Sequence, residues 1–377
     1  MRKLANAPLL GMAAALLLAA IVRPVAALEV TDIIGRQITL DGPAQRVILG
    51  EGRFLAAIGI LDREEPLSRV AGMLNEFKRY DPAGYAHYRS RFSGIDDIPV
   101  FGQTSEASVS VERAIALKPD VAIFGVEGHG PGARSRELIR TLEAAGIKTV
   151  FIDFRRDPLK NTARSVEILG EVLGRGDEAA AFAAFYKKNL DLVAKGMAGF
   201  AGKKPRVLLE ARVGLGEECC LTMVEGMMGR FIDFAGGDNI GRGIVPGPAG
   251  MLNLEYVLGN PPDIYIGTAV GAPAHAGRTP AQIILGAGAD VEMARSSLEQ
   301  ALARPGLSSL PAVRDGRAYG IWHHFYNTPL NIYAVQVIAK WLHPDRFGDL
   351  DPEATLKELH DRFQPFPLNG VYSIGLR

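Results

Sequence analysis

The chain of 377 residues has only two cysteines, and they are neighbours, Cys219 and Cys220. Adjacent cysteines cannot tie distant segments together, so stability has to come from an apolar core. Whether the pair is a strained vicinal disulfide or two thiols stays open at this stage. The 7 histidines are scattered without His-x-His or Cys/His ligand spacing, so there is no framework for a bare-metal site. The 42 basic and 42 acidic residues cancel and no dense basic block occurs, which removes the electrostatic footprint of nucleic-acid binding. There is no P-loop, no Gly-x-Ser-x-Gly elbow and no carboxylate pair that stands out from the acidic background. The usual signatures of catalysis are therefore missing, and no cofactor is expected.

The one long apolar run is at the start. Arg2 and Lys3 precede an almost uninterrupted apolar stretch from Leu9 to Val22, and Pro24-Val25-Ala26-Ala27 presents small residues for cleavage. Residues 1–27 read as a signal peptide removed after Ala27, leaving an exported, periplasmic protein with no integral membrane segment. No cysteine follows the run, so an N-terminal lipid anchor is not expected.

The rest alternates short apolar strands with helical patterns, the signature of an α/β fold. Strands are expected at Arg46–Gly50, Val70–Gly72, Val121–Gly125 and Thr149–Phe154, then at Arg206–Glu210, Ile264–Gly267 and Ala318–Trp322. Helices are expected at Ser110–Lys118, Ser135–Ala145 and Asn331–Trp341. Between the two groups, Asp177–Ala198 contains no proline and spaces Phe182, Phe185, Tyr186, Asn189 and Val193 at helical intervals. That predicts one long amphipathic helix acting as a strut rather than a flexible linker. The expected division is an N-terminal lobe over 28–157, a helical segment over 158–199 and a C-terminal lobe over 200–377. The stretch Thr279–Arg304 has no assigned role.

The halves repeat one phrase. Glu112 is followed by Lys118-Pro119-Asp120-Val121, and Glu255 by Pro261-Pro262-Asp263-Ile264, with 7 positions from Glu to the Pro of each Pro-Asp pair. Each copy reads as a helix, a proline break and a buried strand. The Asp32-x-x-Gly35-Arg36 hairpin, Phe234-Ala235-Gly236-Gly237-Asp238-Asn239 and Leu310-Pro311-Ala312-Val313-Arg314-Asp315-Gly316-Arg317 add further landmarks in order. Together these resemble the periplasmic binding proteins that serve iron-siderophore, haem and cobalamin importers, across essentially the whole mature chain. The resemblance implies two Rossmann-like lobes joined by a single long helix, with the ligand between them. It also implies that Glu112 and Glu255 dock onto arginines of the ABC permease, where otherwise they would be first-turn acids favoured by the helix dipole. The expected ligand is an iron(III)-siderophore or related metal chelate, with haem and cobalamin as alternatives.

Ligands of open α/β sheets lie beyond the carboxyl ends of the strands. Reading those ends gives Arg53 and Phe54, then Glu127 and His129, then Arg212, and finally Trp322, His323, His324 and Tyr326 as candidate ligand-binding residues. Arginine forks suit carboxylate or catecholate oxygens, and the aromatics supply a wall with polar edges. His323 and His324 are neighbours in what reads as an extended segment, so at most one is expected to face the cleft. A reading from another class comes from Gly128-His129-Gly130-Pro131-Gly132-Ala133 with Asp153 further on. It fits Gly-x-Gly-x-x-Ala and would make the protein an exported dinucleotide-dependent oxidoreductase.

Overall fold

A computed structural model describes residues 27–216, 219–277 and 282–376; the expected leader, apart from Ala27, lies outside them. The hairpin comes first, strands β1 (Leu28–Thr31) and β2 (Gln37–Leu40), paired antiparallel. The Asp32-x-x-Gly35-Arg36 motif makes this turn. Asp32 Oδ1 accepts the backbone N–H groups of Ile34 and Arg36, and Gly35 takes φ +85°. Arg36 pairs with Asp32 and donates to the Thr149 carbonyl, which fastens the hairpin to the first sheet.

That sheet consists of β3 (Val47–Leu49), β4 (Val70–Leu74), β5 (Val100–Gly102), β6 (Val121–Gly125) and β7 (Lys148–Ile152), all parallel in the order β5-β4-β3-β6-β7. Strands β3, β4 and β6 are buried along their whole length, as parallel strands covered on both faces must be. The strand order reverses between β3 and β6, which opens a crevice beyond their carboxyl ends.

The second sheet repeats the plan with additions. It holds β8 (Arg206–Glu210), β9 (Leu221–Met223), β10 (Asp238–Asn239), β11 (Ala249–Met251), β12 (Ile264–Ala269), β13 (Ala318–Trp322) and β14 (Ser373–Gly375). The order is β11-β9-β8-β12-β13-β14, with β10 also paired to β8. Strands β8, β12 and β13 are parallel, whereas β9, β11 and β14 pair antiparallel. Here the reversal falls between β8 and β12.

The repeated Pro-Asp phrase has one physical use in both copies. Asp120 Oδ2 accepts the N–H groups of Gln45 and Arg46, just ahead of β3; Asp263 Oδ2 accepts the N–H of Arg206, which opens β8. The two arginines reach back, Arg46 to the carbonyls of Leu117 and Lys118 and Arg206 to that of Pro261. In each lobe the aspartate thus locks the central strand to the one arriving across the switch.

The long helix runs over Gly176–Met197 and buries Phe182, Phe185, Tyr186, Asn189 and Val193. In the chain it lies between the two sheets, and it packs against Pro158–Leu173 on one side and Ile332–Leu342 on the other. Tyr186 donates to Asn331 and Gln336 donates to Asn189, so polar contacts tie it to the C-terminal half. The described part of the unassigned stretch supplies the helix Val291–Leu302 and Arg304, which grips buried Glu210 through two hydrogen bonds at 2.9 and 2.7 Å. Cys219 and Cys220 are joined by a disulfide. Among the described residues, no helix is long and apolar enough to cross a membrane.

Candidate functional site

A cavity of about 280 Å³ lies where the two switch points face each other. The N-terminal sheet sends Arg53 after β3, Arg79 and Tyr80 after β4, His129 after β6 and Arg155 after β7. The C-terminal half sends Arg212 after β8, Leu221 and Met223 from β9, Met227, and His323, His324 and Tyr326 after β13.

Arg53 is the centre of a buried ionic network and is only 3 % exposed. Its Nη2 donates to Glu51 Oε2 at 3.0 Å and its Nε lies 3.6 Å from Glu76 Oε1. Glu76 also accepts the backbone N–H groups of Gly52 and Arg53, and Glu51 accepts the His129 N–H and the Asn327 amide. Burial alone would push all three groups toward neutrality. For Glu51 and Arg53 the partners win: Arg53 holds Glu51 below the ordinary carboxylate value, and Arg53 itself is raised by Tyr326, Glu51 and Glu76. For Glu76 burial prevails and its pKa rises to about 7.

Arg53 Nη1 donates to His324 Nδ1 at 3.0 Å and to the Tyr326 hydroxyl at 3.2 Å. His324 Nε2 lies 3.0 Å from the Tyr80 carbonyl. Burial holds this imidazole neutral, well below its usual pKa. A carbonyl can only accept, so the proton is assigned to Nε2 and the Nδ1 lone pair to Arg53. Both nitrogens of His324 are therefore occupied. The Tyr326 hydroxyl also meets His129 Nε2 at 3.1 Å, and burial lowers His129 to about 4. His323 Nδ1 lies 2.8 Å from Thr268 Oγ1, which accepts the Arg212 N–H. His323 is likewise kept neutral by burial.

Against this closed network stand three other arginines. Among the described residues, no carboxylate pairs with Arg79, Arg155 or Arg212, although all three line the cavity. The guanidinium of Arg155 lies 5.2 Å from the Tyr326 ring centroid, and its buried Nη1 has no hydrogen-bond partner among the described residues. Arg212 and Met227 adopt left-handed backbone, with φ of 55° and 48°. Such conformations are disfavoured for side-chain-bearing residues, and here they aim both into the cavity.

Six of the nine candidate ligand residues are thus assembled: Arg53, His129, Arg212, His323, His324 and Tyr326. Phe54 is instead buried in the core with its ring edge toward Phe154. Glu127 is exposed and does not line the cavity. Trp322 stands behind the wall, edge-on to His324 at 5.2 Å, and borders a smaller cavity of about 50 Å³. The expectation that only one of His323 and His324 faces the cleft is wrong. Residues His323–Asn327 form a 3-10 turn, in which neighbours do not point oppositely, and both line the cavity. Arg155 and Arg79 were missed. The same strand-end rule, applied to Thr149–Phe154, points directly at Arg155.

The Gly128–Ala133 turn has no use for a nucleotide. A Cβ on Gly128 would sit 1.9 Å from Glu51 Oε1, and one on Gly130 would sit 2.0 Å from the Gly50 carbonyl. These glycines let the turn close against the Arg53 loop. Asp153, the would-be ribose ligand, is buried and spends both oxygens on the N–H groups of Arg155, Arg156 and Asp157 and the Asn161 amide. Glu112 and Glu255 are both exposed in the first turns of Val111–Ala116 and Leu254–Gly259, capped by Ser110 and Asn253.

Comparison with known proteins agrees with this architecture. The TroA-like periplasmic binding protein FepB from Veillonella parvula superposes with a TM-score of 0.82 at 28% identity, covering 93% of this chain and 100% of its own. The molybdate periplasmic binding protein MolA of Haemophilus influenzae, bound to molybdate, gives 0.67 at 18% identity, covering 91% and 99%. A periplasmic heme binding protein from Pseudomonas aeruginosa gives 0.54 at 19% identity, covering 80% and 93%. No curated protein sequence matches. The family described as periplasmic binding protein matches residues 77–322, and this chain belongs to that family, a solute-binding protein of the ABC-transporter type and not an enzyme.

Proposed function

We propose that the protein receives an anionic metal chelate, an iron(III)-siderophore, in the periplasm and hands it to an ABC permease. The observation that carries this reading is the division of labour among the arginines. His324, Tyr326, His129 and Arg53 are already bonded to one another. Arg79, Arg155 and Arg212 have no carboxylate partner among the described residues. Such a site offers chiefly positive charge and N–H donors, which suits a complex whose metal arrives fully coordinated. Haem and cobalamin are the competing cargoes. Export with loss of residues 1–27, two lobes over 28–157 and 200–377, and docking through Glu112 and Glu255 complete the proposal.

Titration with a panel of ferric siderophores, haem and cobalamin, followed by tryptophan fluorescence, tests the ligand class. Trp322 stands one side chain behind the cavity and should report binding. Saturable quenching by ferric siderophores is expected; a response to haem or cobalamin alone would end the siderophore reading.

A further inference from the structure

The cavity has a charged part and an apolar part. The N-terminal half brings Arg53, Arg79, Arg155, His129 and the rim of Tyr80. The C-terminal half brings Arg212, His323, His324 and Tyr326, and with them Leu215, Leu221, Met223, Met227 and Ala249 supply apolar surface. Strand geometry makes this a continuous shelf. Leu221 and Met223 are two apart on β9 and so share a face. In the antiparallel register Met223 pairs with Ala249 and Leu221 with Met251, which places all four side chains on that face. The shelf then runs out of the cavity. Met251 is 52% exposed and Leu215, at the rim, is 56% exposed. Large apolar side chains left in water beside a ligand cavity mark surface awaiting a partner.

We infer that the ligand is amphipathic: an anionic chelate carrying an apolar flank or tail, which lies on the β9–β11 shelf while the anionic face meets the arginines. This deepens the proposed function and rests on it. The occupant is the ligand itself because the shelf is continuous with the arginine-lined cavity: Leu215, Leu221, Met223 and Ala249 line it together with Arg79, Arg155 and Arg212. Two features fix the arrangement. Met227 donates its backbone N–H to the Arg155 carbonyl at 2.8 Å, so shelf and basic wall are joined across the cavity. Its left-handed backbone, φ 48°, turns the residue toward the cavity rather than along the chain. An inorganic oxyanion, polar on every side, would leave this shelf wet.

The test uses two probes of equal charge and donor set, ferric catecholate and ferric 4-tert-butylcatecholate, each in catechol excess, titrated into the mature protein. Wild type should bind the tert-butyl probe about tenfold more tightly, because the added carbons leave water on the shelf. Replacing Leu215→Ser together with Met251→Ser, both positions more than half exposed and so safe for folding, should reduce that preference several-fold. Arg155→Gln should weaken both probes alike. Equal affinity of wild type for the two probes overturns the inference and leaves the anionic-chelate reading standing. A preference that survives the double substitution intact overturns the placement on this shelf. Failure of wild type to bind either probe sinks the chelate reading, and this inference with it.

Discussion

The two lobes bring the same topology to the cavity and fill it differently. In each, a reversal of strand order opens a crevice, and in each a Pro-Asp lock fixes the strands beside it. Beyond β3 the N-terminal lobe places Glu51 and Arg53, and beyond β4 Glu76, charges so buried that they must satisfy one another. Beyond β8 the C-terminal lobe places an exposed Arg212 and, alongside, the apolar strands β9 and β11. Its own buried ion pair, Glu210 with Arg304, is set back from the cavity lining. The lesson is that an arginine at a strand end is not by itself a ligand arginine. What its neighbours already take from it decides.

Arg53 against Arg155 is the sharpest form of that contrast, since both guanidinium groups lie over the Tyr326 ring, at 5.5 and 5.2 Å. The largest effect expected anywhere in the molecule is from Arg53→Ala. It strands two buried carboxylates and should destabilise the protein by about 3–5 kcal/mol in denaturant unfolding. Arg155→Gln breaks no ion pair among the described residues and should leave stability within about 0.5 kcal/mol of wild type. Similar unfolding midpoints for the two variants would erase the distinction.

Ligand affinity should reverse the ranking of these two positions. Removing the Arg155 guanidinium should cost about 1.5–3 kcal/mol of binding, roughly tenfold to a hundredfold in Kd for an anionic ferric siderophore. Arg212→Gln should cost the lower end of that range, because Arg212 is exposed and its charge is screened. Calorimetry on folded variants decides; an Arg155→Gln protein that binds as well as wild type would leave this guanidinium without a role.

Much of this contrast could be read in the chain, and the remainder had identifiable physical reasons for staying hidden. Strands Val121–Gly125, Arg206–Glu210 and Ala318–Trp322 were expected with the bounds they have, because buried parallel strands are plain apolar runs. The hidden elements are short or partly exposed: β9 and β11 span three residues each, and β11 carries no buried position. Strand ends located Arg53, His129, Arg212 and Tyr326, but no local pattern says that Arg53 will find Glu51 and Glu76 while Arg155 finds no carboxylate among the described residues. Glu76 is 23 positions from Arg53, and that pairing exists only once β3 and β4 lie side by side. The His323-His324 error had a local cause, since a strand's alternation was carried one residue too far into a turn.

The N-terminal network should also announce itself in pH dependence. Burial raises Glu76 from 4.5 to about 7, so the folded state holds this proton more tightly than the unfolded chain. Its contribution to stability is fully present below about 4.5 and is lost as pH rises toward 7. His129 acts in the opposite sense: lowered by burial to about 4, it favours unfolding as pH falls from 6.5 toward 4. The two oppose each other in wild type, so the difference curve is the test. Glu76→Gln is less stable overall, because its NH₂ must face one of the two N–H groups that the carboxylate accepts. Relative to wild type it should recover steadily between pH 4.5 and 7. A constant offset across that range would remove Glu76 from the titration.

The smallest effects concern the outer surface, where the lobes carry Glu112 and Glu255 at equivalent places ahead of β6 and β12. Their surroundings are unequal. Glu112 accepts a hydrogen bond from the Ser110 hydroxyl at 3.3 Å, with buried Ala114 behind it. On the helix that carries Glu255, Leu258 is 42% exposed. If both acids dock on permease arginines, each substitution to Gln should slow association by about fivefold or less, since exposed pairs contribute about 1 kcal/mol at most. Both should flatten the dependence of uptake on salt, with ligand affinity unchanged. The lobes should nevertheless be distinguishable at high ionic strength. There charge is screened, and the C-terminal contact keeps whatever its apolar neighbours contribute, whereas the N-terminal contact has little else. Leu258→Ser should therefore weaken permease binding at high salt more than Glu112→Gln does. If instead the Gln variants at both sites take up ligand at the wild-type rate across the salt range, these glutamates are simply first-turn acids suited to the helix dipole.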